Sequence, residues 1–458
     1  MDVGAVPSPQ CKLPAYEHDP RELLASSPMT RLQMVVIAIT LGLTALDGFD
    51  ILSISFASPG IAREWGIDRA ALGVVLSMEL LGMALGSILL GGVADLIGRR
   101  RMLLGCLVLM TAGMIMVAGV HNLKALCVWR VVTGLGIGGM LAAVNAVATE
   151  FSSIRQRDLC VSIMAIGYPL GAVFGGMVAA HLLNGGNWRT VFEFGATCTG
   201  IFIPVVFLWV PESIGWLCQA RPPGALDRLN RSLTRLGYPR VESLPPAARQ
   251  QTRSSLINLF AGGMAPITLI LSLTYFLHVT TFYFIIKWVP KIVVDMGFAP
   301  ASAAGVLVWT NVGGALGGAT LGLLTRKLDL KLLTLAVFIG SAIMVVVFGR
   351  GTADLAQLSL ICALAGFFTN AGIVGVYALV SRAFPTPLRA SGTGFVIGVG
   401  RGGSFLAPIV GGLLFQAGIG LGVVALVMAC GSLLAAVCLA MLPKRASVPH
   451  SSAVPESL

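Results

Sequence analysis

Apolar runs about as long as a bilayer is thick recur along this sequence, and they leave it few folds to choose from. A helix needs ~20 apolar residues to cross the hydrocarbon of a membrane. Runs of that length fall at 32–56, 71–93, 102–120, 125–148, 159–183 and 189–210, and again at 265–289, 302–325, 331–349, 355–380, 390–415 and 418–442. Only helices and closed barrels satisfy their backbone inside lipid, and these runs are too long for strands. The expectation is an all-α integral membrane protein with twelve transmembrane helices in two six-helix, pseudo-symmetric bundles. Composition agrees. Of the 458 residues, 56% are hydrophobic and 11% charged, against roughly a quarter charged in a soluble domain.

This reading divides the chain into an N-terminal tail (1–31), a first bundle (32–210), a polar connector (211–263), a second bundle (264–442) and a C-terminal tail (443–458). The connector carries Arg221, Arg228, Arg231, Arg235, Arg240, Arg249 and Arg253, and a helix is expected over Pro223–Leu236 with its arginines against anionic headgroups or solvent. Lys and Arg beside a span resist translocation. With the N-terminus inside, the inner loops and tails hold roughly three times as many basic residues as the outer loops. Both termini are therefore expected in the cytoplasm, with the protein in a bacterial inner membrane. The first thirty residues lack the short apolar core of a cleavable signal.

The net charge of +11 invites a nucleic-acid reading, but its loop distribution accounts for it as orientation. The nine cysteines lack CxxC spacing, and Cys106, Cys127, Cys160, Cys198, Cys362, Cys430 and Cys438 fall in or beside apolar runs, as small packing residues do. There is no phosphate-loop or HExxH motif. No cofactor, metal or nucleic acid is expected. Nor is an enzyme, since no nucleophile, base and orienter cluster together. The lipid bilayer is an expected partner, and the expected state is a monomer.

Internal echoes support two halves. The segment GGVADLIGRR (91–100) follows the second run, and GLLTRKLDLK (322–331) stands in the corresponding turn after the eighth, with Arg326 where the aspartate would be. EFSSIRQRD (150–158) is likewise echoed by RAFPTPLRASG (382–392). In the first of these turns Asp95 can cap a helix start, while Arg99 and Arg100 can pair with Glu150 or Asp158.

At these residues the chain resembles the major facilitator superfamily. Gly91, Asp95, Gly98, Arg99 and Arg100 match its loop signature, although Leu96 replaces the usual basic residue. Arg130, Gly134, Gly136, Gly138 and Gly139 match its fourth-span pattern; GYPLGAVFGG in the fifth span and PESIGWL after the sixth look like further signatures. The resemblance implies that Gly91, Asp95, Gly98, Arg99, Arg100, Glu150 and Arg157 form a conformational latch on the cytoplasmic side. The glycines let helices approach closely, and tight packing alone would explain any one of them.

A few ionisable residues inside spans point to function. Asp47 and Asp50 lie three apart, on one face of the first span. A buried charge at membrane depth is expensive, so such residues usually face a cavity and act there. Two carboxylates this close repel, which favours a shared proton. A standing bridge from Asp47 to an intramembrane arginine is the structural alternative. Glu79 in the second span can join these aspartates in a proton relay or act as a fixed acceptor. Arg130 is expected to assist proton transfer or to bridge helices, and is a second, weaker candidate for contacting the substrate.

The segment DGFD, with Asp47, Gly48 and Asp50, resembles the Asp-Gly-x-Asp pattern of the aromatic acid:proton symporter branch of the superfamily. The resemblance implies proton-coupled import of hydroxybenzoate-type carboxylates or of ring-cleavage products such as muconate. It also carries an arginine in the eleventh span, where this chain has Arg401. A substrate carboxylate would match that arginine with two parallel hydrogen bonds; a bridge to Asp47 or Asp50 is the structural alternative.

The seventh span adds Tyr275, His278, Phe282 and Tyr283, which can wall a ring-binding site. His278 can equally be a helix-contact histidine. Trp288 reads as an interface anchor, and Lys287 beside it is expected to snorkel outward or to add positive charge to the approach path. Asn311 and Asn370 are either cavity contacts or interhelical glue. A same-fold exporter of drugs or metabolites, working by proton antiport, is the alternative function, disfavoured by DGFD and Arg401. A neutral-solute importer would gain little from that arginine.

Overall fold

A computed structural model describes residues 19–245, 259–261, 263–352, 354–385 and 388–442. Residues 1–18 of the expected N-terminal tail, the expected C-terminal tail at 443–458 and connector residues Arg249 and Arg253 lie outside the described residues. The described residues form helices and no strand. They are α1 (Pro20–Ser26), α2 (Arg31–Trp65), α3 (Arg69–Leu89), α4 (Val93–Ile97), α5 (Arg99–Ala118), α6 (Leu123–Glu150), α7 (Arg157–Leu183), α8 (Arg189–Trp209), α9 (Ile214–Ala220) and α10 (Ala225–Leu236). After the connector come α11 (Ala265–Asp295), α12 (Pro300–Leu324), α13 (Leu330–Gly349), α14 (Leu355–Ala383), α15 (Arg389–Gln416) and α16 (Leu421–Ala440). Twelve of them, α2, α3, α5 to α8 and α11 to α16, are long and apolar enough to cross a membrane.

Local chemistry sets their ends. A capping box starts α2: Thr30 accepts from the Gln33 backbone N–H, and Gln33 accepts from that of Thr30. Asp68, Asn122 and Asp329 cap α3, α6 and α13 in the simpler way. Several helices outrun the apolar stretches that announced them. The first continues past residue 56, through Pro59, to Trp65, because helical hydrogen bonding needs no apolar side chains and stops only at Gly66 in the left-handed region (φ 59°). The connector helix starts at Ala225 rather than Pro223, since Gly224 takes φ 70°.

The pairing of helices repeats between the halves. In the first, α3 packs on α6, α2 on α7, and α5 on both α6 and α8; in the second, α12 packs on α14, α11 on α15, and α13 on both α14 and α16. The halves meet through α3 against α15, α7 against α12, and α2 against α11. Close approach within a half rests on small residues. A Cβ on Gly82 or Gly86 would strike the carbonyl oxygen of Val131 or Leu135, so α3 and α6 touch backbone to backbone.

The hydrophobic core divides in a way that matters for function. On the side opposite the described chain ends, one core contains residues of both halves, among them Phe49, Ile54, Phe56, Phe284, Ile285 and Trp288. On the side of the chain ends there are two cores, one for each half. Tyr283 packs against all three. The halves are thus joined at the far face and separated toward the terminus face.

Candidate functional site

Helix α2 carries Asp47 and Asp50 into the middle of the bundle. Their backbone is drawn tightly against α7, where a Cβ on Gly48 would strike the Tyr168 carbonyl oxygen and one on Gly171 that of Ala45. Asp47 is 3% exposed and Asp50 fully buried. Oδ1 of Asp47 and both carboxylate oxygens of Asp50 lack a hydrogen-bond partner among the described residues. Neither aspartate forms an ion pair there. Buried carboxylates without partners are held at a free-energy cost unless they take up a proton or a counter-charge.

Next to them sits a three-charge cluster. Glu79 of α3 is ion-paired through Oε1 with Arg130 of α6 and, at 3.5 Å through Oε2, with Lys287 of α11. All three side chains are fully buried. Arg130 also donates to the Asp50 carbonyl oxygen (3.3 Å) and lies over the Phe192 ring at 5.4 Å. Lys287 donates to the Ile51 carbonyl oxygen. Lys287 therefore neither snorkels to the surface nor lines an open approach. Its ammonium turns inward because a carboxylate and a backbone carbonyl of the other half lie within reach. Trp288 is likewise no interface anchor: it is 1% exposed, and its indole N–H donates to the Pro408 carbonyl oxygen at 3.1 Å.

Arg401 of α15 is half-buried and has no ion-pair partner among the described residues, so it is not bridged to Asp47 or Asp50. It lies in electrostatic range of Asp47, Tyr275 and Tyr283. The Tyr275 ring fills the space that a Cβ on Gly400 would need, directly beside Arg401. The Tyr275 hydroxyl is 2.9 Å from that of Tyr377, with ring centroids 5.5 Å apart. Tyr283 stands edge-on to Phe282 at 5.2 Å. Tyr168 of α7 is half-buried, in electrostatic range of Asp47, Glu79, Tyr283 and Tyr377. A guanidinium, two unpartnered carboxylates and four tyrosines from both halves thus share one region, where the joined core gives way to the divided one.

Three other candidates have different surroundings. His278 is fully buried, with Nδ1 3.0 Å from Ser432 Oγ, Nε2 2.8 Å from the Thr369 carbonyl oxygen, and its ring 4.4 Å from that of Phe338. It binds α11 to α14 and α16. Asn311 donates to the Leu307 carbonyl oxygen of its own helix, and Asn370 to that of Gly314 across the α12–α14 contact. The Asn311 bond stays within α12, whereas the Asn370 bond ties α14 to α12.

The signature loop forms a second site, at the terminus face. Arg99 binds Asp95 at 2.9 Å and Glu150 at 3.3 Å. Gly98 has φ 103°, and a Cβ there would meet the Glu212 carboxylate. Glu212 Oε1 accepts from the backbone N–H of Arg100 (3.2 Å) and of Ser213 (3.1 Å), and Ser213 donates to Glu150. Gly91 lies half-buried at the preceding turn. Arg157 is exposed and, with Asp158, stands outside this cluster; Glu150 and Glu212 supply the acceptors instead. Burial pushes the Glu212 carboxyl above the ordinary glutamate range.

Sequence reasoning missed Glu212, Tyr168 and Tyr377. The PES motif was the signal for the first and the tyrosine–proline step in α7 for the second; a lone tyrosine in α14 offered none.

A profile described as the Major Facilitator Superfamily matches residues 40–349 and 271–457. The chain is 30% identical over 426 residues to the 3-(3-hydroxy-phenyl)propionate transporter of Escherichia coli (strain K12), covering 92% of this chain and 96% of that one. It is 27% identical over 405 residues to the 4-hydroxybenzoate transporter PcaK of Pseudomonas putida, covering 87% and 90%. Among solved structures it is similar to the partially occluded, inward-open xylose transporter XylE from E. coli, at 16% identity and a TM-score of 0.71 over 90% of this chain and 98% of that one.

Proposed function

This chain belongs to the Major Facilitator Superfamily, and we propose that it imports aromatic carboxylates together with protons by alternating access. It is a multi-pass membrane transporter rather than an enzyme. The observation that carries the substrate class is Arg401, a half-buried arginine inside a span with no acid partner among the described residues, set among tyrosines. A benzoate-type ligand supplies what that site lacks: a carboxylate for the guanidinium fork and a ring for the aromatic wall. The names of the relatives, transporters of hydroxybenzoate, gallate and hydroxyphenylpropionate, support the same class.

Charge parity supports proton coupling. The central region holds three carboxylates, Asp47, Asp50 and Glu79, and three cations, Arg130, Lys287 and Arg401. Adding a substrate carboxylate upsets that balance, and one proton on Asp47 or Asp50 restores it. A neutral load lowers the cost of moving the site through a dry, joined core. Alternating access would then exchange the joined core for a joined terminus face, with Asp95, Arg99, Arg100, Glu150 and Glu212 as the contacts that steady the first half. In this reading residues 32–210 and 264–442 are the two rocking units, joined by the connector 211–263. The terminus face is cytoplasmic, the bilayer is a bacterial inner membrane, and one chain suffices.

Uptake of labelled 4-hydroxybenzoate into proteoliposomes tests the proposal. An inward proton gradient should drive accumulation, and collapse of the gradient should abolish it. If only an outward flux responds, the protein is an exporter and the reading fails.

A further inference from the structure

Five arginines converge on one groove at the terminus face. Arg228, Arg231 and Arg235 recur at i, i+3 and i+7 along α10 and so share one side of it, while Leu229, Leu233 and Leu236 are buried on the other. Facing them from the start of α5 are Arg100 and Arg101, and the groove, about 410 Å³ in volume, is completed by Leu104, Phe207, Pro211, Glu212 and Ser232. Glu212 is the one acid there, and its Oε1 is occupied by two backbone N–H groups. None of the five arginines forms an ion pair among the described residues. Arg100 has a buried Nε with no hydrogen-bond partner, while its Nη2 donates to the Phe207 carbonyl oxygen and its guanidinium lies 4.9 Å from the centroid of the Phe207 ring; Arg235 donates to the Leu208 carbonyl oxygen.

Five like charges gathered around one half-buried acid repel one another, so the groove gains most from an anion that accepts several guanidinium hydrogen bonds at once. A phosphodiester does this. The surroundings distinguish a lipid from a free ion: Phe207, Leu208 and Trp209, at the end of spanning helix α8, are each more than half exposed. They offer apolar surface to acyl chains directly beside the basic groove.

We propose that this groove is a binding site for the headgroup of an anionic phospholipid, such as phosphatidylglycerol, in the leaflet at the terminus face. The bound phosphate ties α10 of the connector to α5 and α8 of the first half. Nothing in this assignment depends on which solute the central site carries.

The test is native mass spectrometry of the full-length transporter in detergent, titrated separately with phosphatidylglycerol, phosphatidylcholine and inorganic phosphate. Phosphatidylglycerol should bind at least about tenfold more tightly than phosphatidylcholine, and R228Q/R231Q should remove most of that preference. The exposed Arg101→Gln should reduce it in part. R326Q/K327Q, which removes two charges from the same face of the second half, should leave it intact. Equal binding of the two lipids, unchanged preference in R228Q/R231Q, or equal loss in the R326Q/K327Q control would overturn the assignment. Displacement of the lipid by millimolar phosphate would make it a site for the free ion and would equally overturn it.

Discussion

Lys287 of α11 and Glu79 of α3 lie 3.5 Å apart with neither side chain exposed, so a buried ion pair spans the two halves inside their joined core. Glu79 also holds Arg130, and Lys287 also reaches the Ile51 carbonyl oxygen, so the link is part of a network rather than an isolated contact. Separation of the halves at the far face must break it. The outer part of the same contact includes Arg69 and Asp295 at 3.3 Å, but both are partly exposed, and exposed pairs contribute little.

Removal of one partner from a buried pair leaves the other charged and unsolvated, at about 3–5 kcal/mol. Glu79 keeps Arg130, so Lys287→Met should fall at the low end of that range. A double-mutant cycle with Glu79→Gln, read by thermal unfolding in detergent, should return a coupling of about 1–3 kcal/mol. Strict additivity would mean that the two residues do not interact in the folded protein.

Arg401 is predicted to matter for binding rather than for folding, because its side chain makes no ion pair or hydrogen bond among the described residues. Arg401→Ala should abolish uptake of aromatic acids with little change in thermal stability. Arg401→Lys keeps the charge but loses the planar fork, and it should abolish uptake as well. Two charge-assisted hydrogen bonds at about 1.5–3 kcal/mol each make a loss of at least about 100-fold in kcat/KM reasonable. Near-normal uptake by either variant would remove the residue from the substrate site.

The spans were legible because lipid imposes their length and apolar character on each segment independently of the others. What the inward charges touch was not. A lysine beside a tryptophan near the end of an apolar run looks the same whether it snorkels or turns inward, and for Lys287 the outcome depends on Glu79, which lies 208 positions away in the chain. His278 illustrates the same point, since its two partners sit on α14 and α16. Arg401 and the DGFD aspartates could be singled out because charge is rare at membrane depth. Tyr377 could not, since an isolated tyrosine in a span is ordinary.

Glu212 should give the protein a pH signature of its own. Burial raises its carboxyl above the ordinary glutamate value of 4.5, so the folded protein holds that proton more tightly than the unfolded chain does. The resulting stabilisation is complete below the unfolded value and is lost as pH rises through the folded one. The wild-type protein should therefore lose stability relative to Glu212→Gln on going from about pH 4.5 to pH 7. Thermal unfolding across that window measures the difference, and a constant offset would show that Glu212 titrates as an exposed carboxylate.

Asp47 and Asp50 separate the proton from the substrate. If Asp50 carries the coupled proton, Asp50→Asn places a permanently neutral group where the wild type alternates between charged and neutral. Accumulation against a gradient should then fall to the equilibrium level, while exchange of labelled for unlabelled substrate continues, because exchange needs a neutral load but no net proton movement. With one proton accompanying each monocarboxylate, wild-type uptake should also be electroneutral, so a potassium diffusion potential should leave its rate unchanged. A variant that loses accumulation and exchange together would assign Asp50 to structure or to substrate binding. A marked response to membrane potential would require a different number of protons, because the three carboxylates and three cations of the central site balance only when substrate and proton arrive one for one.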